Sequence, residues 1–294
     1  MKWKSLLTTK VSVFSAILFL SFSSSAQIQK IENSLFWEIS GNGLKQPSYL
    51  FGTIHIICKD DFKLSETAKQ KIKGSHQLFL ELDMDDPALQ ATMMREMQLP
   101  KGNTLKNIFG VDQFSRLDAF MQREMKMSPA ALNQFKPMML MSLLTQRMLP
   151  CMTPESYELN FMKLAKAQNI EVLGLERIED QVAVFDAIPD SLEVKGIMDM
   201  VNDFDKQKTN LSRMISYYKD ESLNELYRFM MESPDMMGSQ EILLDRRNRN
   251  WIPLMENAMQ KGSIFFAVGA AHLPGKAGVI ELLREKGYKV SAIK

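Results

Sequence analysis

Ser48-Tyr49-Leu50-Phe51-Gly52-Thr53-Ile54-His55 is a short apolar run that ends in G-x-x-H, and Ser263-Ile264-Phe265-Phe266-Ala267-Val268-Gly269-Ala270-Ala271-His272 repeats the pattern near the other end of the chain. Each reads as a buried strand running into a glycine and then an imidazole. The chain has three histidines, His55, His76 and His272, so two of the three share one local setting. Glycine lacks a Cβ, which lets the backbone turn sharply or approach a neighbour closely where a strand stops. The imidazole then stands at the strand's carboxyl end, the edge at which open α/β sheets bind ligands. A neutral imidazole is also the commonest metal ligand.

Two acids extend the pattern. Leu78-Phe79-Leu80-Glu81-Leu82 is a strand apolar on both faces apart from Glu81. A carboxylate inside such a strand costs several kcal/mol unless it is paired or binds a metal. Glu81 therefore reads as a buried ion pair, a solvated strand-end acid, or a metal-binding or catalytic group. Ile170-Glu171-Val172-Leu173 is a further strand, ending in Gly174-Leu175-Glu176. Glu176 follows its strand as the histidines follow theirs, although an acid at a helix N-terminus is also favoured by the dipole. Gln181, on the next helix, is placed to point back to the same edge. A parallel sheet built from these strands brings His55, Glu81, Glu176 and His272 towards one rim.

The rest of the chain fits around that sheet. Ser34–Ser40 and Ser48–Gly52 read as a hairpin turned at Gly41-Asn42-Gly43, and Ser65 as the N-cap of a helix that stops at Gly74. Helical patterns occupy Ala88–Gln98, Asp112–Met125, Lys136–Met148 and Pro154–Gln168, and helices dominate again from Ser191 to Lys261. A short helix over Lys276–Lys286 and a strand over Tyr288–Ala292 close the chain. Methionine is dense in the helical parts, notably Met138, Met139, Met141, Met148, Met230, Met231, Met236 and Met237. Flexible thioethers line adaptable peptide grooves, but more commonly they fill irregular cores. The segment Asp245-Arg246-Arg247-Asn248-Arg249 reads either as a charged helix face with an i,i+4 pair of Asp245 and Arg249, or as a source of groups that hold a carboxylate or an oxyanion.

Composition narrows the class. Lys2, Lys4 and Lys10 precede an apolar stretch, Val11–Phe22, too short to span a bilayer, and Ser24-Ser25-Ala26 suits cleavage of a signal peptide over residues 1–26. The expected product, residues 27–294, is one exported domain, periplasmic or secreted, without stable membrane insertion. Loss of three lysines takes the formal charge from +1 to −2, which argues against a nucleic-acid partner. With 45% hydrophobic residues the chain can fill a sizeable core. Cys58 and Cys151 read as buried thiols or one structural disulfide, with Cys58 as a metal thiolate the alternative.

Taken in order, Leu50–His55, Leu80–Asp83, Leu173–Glu176 with Gln181, Arg247-Asn248 with Trp251, and Val268–Gly275 leading to Gly287-Tyr288 resemble the TraB/GumN family, whose best-known animal relatives are the Tiki metalloproteases. The resemblance implies an α/β fold with a central mixed or mostly parallel sheet built from both ends of the chain and large helical insertions, shared distantly with ChaN-like and erythromycin-esterase-like proteins. It further implies a divalent metal and peptide-bond hydrolysis, with His55 and His272 as the metal histidines and Glu81 and Glu176 as the acidic partners. Arg247 and Asn248 match a further motif of the family.

The leading expectation is a metal-dependent peptidase of the cell envelope. His55, His272 and one glutamate hold Mn, Co or Zn, the other glutamate serves as base, and Arg247 and Asn248 assist. The alternatives are a protein that binds a peptide, or a haem or metal-bearing ligand, without turnover, and a metal-free ester or lactone hydrolase. The oligomeric state is not legible.

Overall fold

The computed structural model describes residues 31–233, 236 and 239–294. The expected signal segment, residues 1–26, and Met237 lie outside the described residues. Eight strands are present in this range: β1 (Phe36–Gly41), β2 (Ser48–Thr53), β3 (Ile57–Cys58), β4 (Gln77–Leu82), β5 (Pro154–Glu155), β6 (Glu171–Glu176), β7 (Ile264–Gly269) and β8 (Tyr288–Ala292). Six form one sheet in the order β6-β4-β7-β2-β1-β8. β6, β4, β7 and β2 run parallel, and β1 is antiparallel to both β2 and β8. The mixed, mostly parallel sheet assembled from both ends of the chain is thus the observed architecture.

Burial follows position in the sheet. β2 is buried at every residue and β7 at all but its last, as expected of strands with neighbours on both sides and helices on both faces. In register, Thr53 of β2 lies beside Gly269 of β7, and Leu82 of β4 beside Glu176 of β6. The two G-x-x-H motifs therefore leave adjacent parallel strands at the same edge. Glycine at the first of them is a matter of close approach. A Cβ on Gly52 would stand 3.1 Å from Ala270 Cα and 3.1 Å from Leu273 Cδ2, in the turn that carries His272. Gly174 is tighter still, since a Cβ there would lie 2.6 Å from the Asp83 backbone nitrogen.

The main core runs from Trp37, Leu50 and Phe265 through Trp251 and Met255 to Ile280. A second cluster joins Phe109, Leu117 and Phe120 to Leu140, Leu144 and Ile197, so the helices Leu105–Met125, Pro137–Met148 and Asp190–Asn202 have an apolar centre of their own. Met148, Met198, Met255 and Met259 are buried, in keeping with the filling role of methionine. No helix among the described residues is long and apolar enough to cross a membrane.

Two element boundaries differ from the sequence expectation. Residues 154–155 are strand, and the helix starts only at Tyr157, where the Ser156 hydroxyl accepts the Leu159 N–H as an N-cap. The helix expected over Asp112–Met125 is present beyond a break at Gly110 (φ 70°), preceded by a short helical stretch from Leu105 capped by Thr104, whereas the helix expected from Lys276 begins only at Val279. The cysteines are resolved as a pair: Cys58 and Cys151 form a disulfide, and β3 and β5 pair antiparallel beside it. A thiolate ligand at Cys58 is thereby excluded while the bridge is intact.

Candidate functional site

The carboxyl ends of β4, β6 and β7, together with the helix Arg246–Met259, place four charged or polar side chains around one point. Glu81 leaves the end of β4, Glu176 ends β6, and His272 sits in the single turn after β7. Arg247 enters from the first turn of the helix. Nη2 of Arg247 donates to Glu81 Oε2 and to Glu176 Oε1, both at 2.6 Å, and Nε donates to Glu176 Oε2 at 3.0 Å. Nη1 donates to the Leu243 carbonyl at 3.0 Å and faces His272 Nε2 at 3.1 Å. A guanidinium has five N–H groups, and each has an acceptor. Arg247 is the resident cation of the site.

The histidine's protonation state follows from its neighbours. Asn248 Nδ2 donates to the carbonyls of His272 and Ala277, which leaves Asn248 Oδ1 to accept from His272 Nδ1 at 2.6 Å. His272 Nε2 then carries a lone pair, the form that can accept from Arg247. The Trp251 ring lies 4.5 Å from the His272 ring and also beneath the Arg247 guanidinium. Burial, reinforced by the Arg247 charge, pulls the His272 pKa down to about 3, so the imidazole is neutral. Asn248 is 1% exposed. Its bonds are spent on His272, and it orients that ring rather than facing a substrate.

The two glutamates differ in what remains open. Glu176 accepts from Arg247 twice, from Gln181 Nε2 at 3.0 Å and from Trp251 Nε1 at 3.2 Å. Its four acceptor positions are filled. Burial raises its pKa against the pull of Arg247. Glu81 Oε2 accepts from Arg247 and, at 3.3 Å, from Gln181, whereas Oε1 accepts only the Gly269 N–H at 2.7 Å and lies 3.9 Å from His272 Nε2. Burial opposes charge on Glu81, but the fields of His272, Arg247 and His55 and the Gly269 N–H hold its pKa down at about 2. With His272 neutral, Arg247 is the principal source of that field. Glu81 Oε1 is the one oxygen of this carboxylate pair with a free acceptor direction.

His55 is placed differently. Its side chain is 71% exposed, against 5% for His272. Nδ1 lies 3.1 Å from Glu158 Oε1, and this bond raises the His55 pKa to about 9, with the Glu81 charge adding to it. His76 lies at the opposite end of the strands, where its N–H donates to the Ser263 carbonyl. Thus Glu81, Glu176, Arg247, Asn248, Gln181 and His272 share one network, with His55 at its rim and His76 remote.

Glu158 escaped the sequence reading. Its one local signal is a helix N-terminal acid two residues after a serine N-cap, which the dipole alone explains. Arg249, expected opposite Asp245, instead pairs with Glu241, and Asp245 accepts from Gln240. The charged segment therefore divides, Arg247 and Asn248 inward and Arg249 outward.

A model of the TraB/PrgY/gumN family matches residues 35–292. The chain is 24% identical over 317 aligned positions to Metalloprotease TIKI2 of Danio rerio, covering 89% of this chain and 61% of that protein. To Metalloprotease TIKI2 of Xenopus tropicalis it is 23% identical over 349 positions, covering 98% and 64% respectively. To uncharacterized protein YbaP of Shigella flexneri it is 25% identical over 247 positions, covering 81% and 88%. The chain spans about three-fifths of the length of the TIKI relatives it matches.

Proposed function

We propose a function from one premise: the chain belongs to the TraB/PrgY/gumN family. The strand-end site hydrolyses peptide bonds in a peptide or protein met in the periplasm or outside the cell. The observation that carries this reading is the meeting of an ionised glutamate with a free acceptor direction, a neutral imidazole and a protonated imidazole at one edge of a parallel sheet. The metalloprotease names of the TIKI relatives support it. The disulfide is in keeping with an oxidising compartment.

Those names also support a divalent ion, Mn, Co or Zn, as a requirement for turnover. The side chains as disposed do not fit one. Among the described residues no group of three or more His, Cys, Asp or Glu is arranged to hold a metal ion, and the position between Glu81, Glu176 and His272 is filled by Arg247. The steps of the reaction therefore fall to the chain's own groups.

Glu81 Oε1, the carboxylate oxygen left with a free acceptor direction, orients a water, and the His272 ring, its Nε2 lone pair taken by Arg247, walls the same space. Glu81 accepts the water's proton, although a pKa of about 2 makes it a weak base. His55, held protonated by Glu158, donates a proton to the departing amine. Glu176 and Arg247 fix Glu81, and Asn248 fixes His272. Deprotonation of water is the step these residues serve least, and the metal arms of the assay address it.

The test is turnover of an unbiased peptide library by residues 27–294 with Mn²⁺, Co²⁺ or Zn²⁺, and then with chelator. Product is expected to accumulate and to be lost in His55→Ala and His272→Ala; turnover that survives chelation assigns the reaction to these side chains alone, whereas turnover that stops on chelation and returns with metal means that an ion enters by displacing Arg247. Full turnover in either variant sinks the shared site. A second reading has its own support, since all five Arg247 N–H groups and all four Glu176 acceptor positions are satisfied internally. Such a closed network suits a protein that captures a peptide without cutting it. Saturable one-to-one peptide binding with no product under any metal would establish that reading instead.

A further inference from the structure

We propose that Glu158 is the positioning residue of His55: it holds the ring through Nδ1–H and so turns Nε2–H towards the space shared with Glu81. A glutamate in the first turn of a helix ordinarily reaches into solvent, where the dipole favours it. Glu158 does the opposite. Its side chain is 12% exposed. Oε1 accepts the Thr53 hydroxyl at 2.7 Å and His55 Nδ1 at 3.1 Å, and Oε2 accepts the Ser156 hydroxyl at 2.8 Å. Three donors converge on one carboxylate, two of them from the strand end and loop of the first G-x-x-H.

The consequence for the ring follows from hydrogen-bond bookkeeping. A carboxylate only accepts, so His55 Nδ1 must carry the hydrogen. Nε2 is left for chemistry. A carboxylate behind a metal-ligating imidazole fixes its ring plane, and loss of such a partner commonly costs 10–100-fold in metal affinity or activity; an imidazolium that must face one space depends on its partner in the same way. The chain holds the pair together covalently as well. His55 precedes Cys58 by three residues and Glu158 follows Cys151 by seven, with the disulfide and the β3–β5 pairing between the two segments. The strand end bearing His55 and the helix start bearing Glu158 are thus clamped at one place.

The catalytic consequence rests on the peptidase reading, whereas the geometric claim does not, and the experiment separates them. Histidine ¹⁵N-labelled mature protein is compared with Glu158→Ala, Glu158→Gln and His55→Ala by imidazole NMR. The wild type is expected to show a downfield proton bonded to His55 Nδ1, identified by its disappearance in His55→Ala. Glu158→Ala is expected to lose that resonance while the His272 signals stay in place. Glu158→Gln, whose amide oxygen still accepts, is expected to keep it, which controls for folding. In the peptide assay, Glu158→Ala is expected to lower kcat about 10–100-fold with KM little changed, and Glu158→Gln to recover part of the loss. Persistence of the His55 resonance in Glu158→Ala overturns the proposal whether or not the protein turns over. An unchanged kcat in Glu158→Ala, with His55→Ala inactive, overturns it too.

Discussion

Arg247 and Glu176 meet fork to fork, with Nε on Oε2 at 3.0 Å and Nη2 on Oε1 at 2.6 Å, and the same Nη2 reaches Glu81 at 2.6 Å. One guanidinium thus neutralises two carboxylates, each about nine-tenths buried. Arg247→Met leaves two like charges side by side without a partner. The expected cost is about 3–5 kcal/mol in urea unfolding, the usual penalty for orphaning a buried charge. Arg247→Lys restores charge without the planar fork and should recover only part of it. The loss should be smaller in acid, where Glu176, already raised by burial, takes up a proton. Equal losses in acid and in base would mean that carboxylate repulsion is not the cause.

Acid should unfold this protein in two overlapping stages. His272 is held neutral, its pKa lowered from 6.5 to about 3, so the unfolded chain binds the proton first and stability declines as pH falls from about 6.5. Glu81, lowered from 4.5 to about 2, contributes stability that is full above about 4.5 and is lost on further acidification. Each proton gives a slope of up to about 1.4 kcal/mol per pH unit. His55, raised to about 9, acts in the other direction. Its contribution is full below about 6.5 and lost as pH rises through 9, and it is small because the side chain is exposed. His272→Gln should flatten the upper acid stage in a pH series of denaturant midpoints, and an unaltered slope there would assign the stage elsewhere.

The disulfide closes a long stretch of chain, its cysteines standing 93 positions apart in sequence. Its removal in Cys58→Ser/Cys151→Ser should cost about 2–5 kcal/mol. Hydrogen exchange should quicken first at Ile57 and Glu155, which pair across β3 and β5. If protection there survives reduction, the two-residue ladder holds without the bridge.

Two glycines should respond unequally to a methyl group. At Gly52 the added Cβ meets the Ala270 Cα and Cβ and the tip of Leu273 at 3.1–3.2 Å, contacts that a shift of a few tenths of an ångström in the turn relieves. At Gly174 it meets the backbone of Asp83 at 2.6 Å, and the parallel β4–β6 pairing must move. Gly174→Ala should therefore cost more than Gly52→Ala, within the ~1–3 kcal/mol typical of overpacking. Thermal unfolding of the two variants side by side decides the order.

The sheet was legible because β2 and β7 carry uninterrupted apolar runs, and the rim because glycine, histidine and glutamate mark its strand ends. Identical G-x-x-H spelling did not reveal that His272 is buried and His55 exposed. That difference arises in the cover each motif receives. The turn after Gly269 is covered by Trp251 and Asn248 from a helix, whereas the chain after Thr53 runs out to β3. Arg247 could be noticed in a charged run, but its role as shared counter-ion depends on Glu81 and Glu176, 166 and 71 residues away. Glu158 was hidden for the same reason, its partner being 103 residues distant. The start of the helix at Tyr157 was displaced because β5 takes Pro154 and Glu155 for pairing with β3.

The placement of β7 has a consequence for how the chain comes to be made. It lies between β4 and β2 in the sheet, yet it is the second-last strand to leave the ribosome. Until residues 264–269 emerge, β2 and β4 each present an open edge with no mate, and more than 180 residues of mostly helical chain must be kept from misassembly. A nascent chain stalled before that point owns most of the scaffold but not His272, which completes the strand-end network. The strand-end site therefore comes together only after β7 has been made, and chains cut short before residue 264 are sticky fragments that lack it.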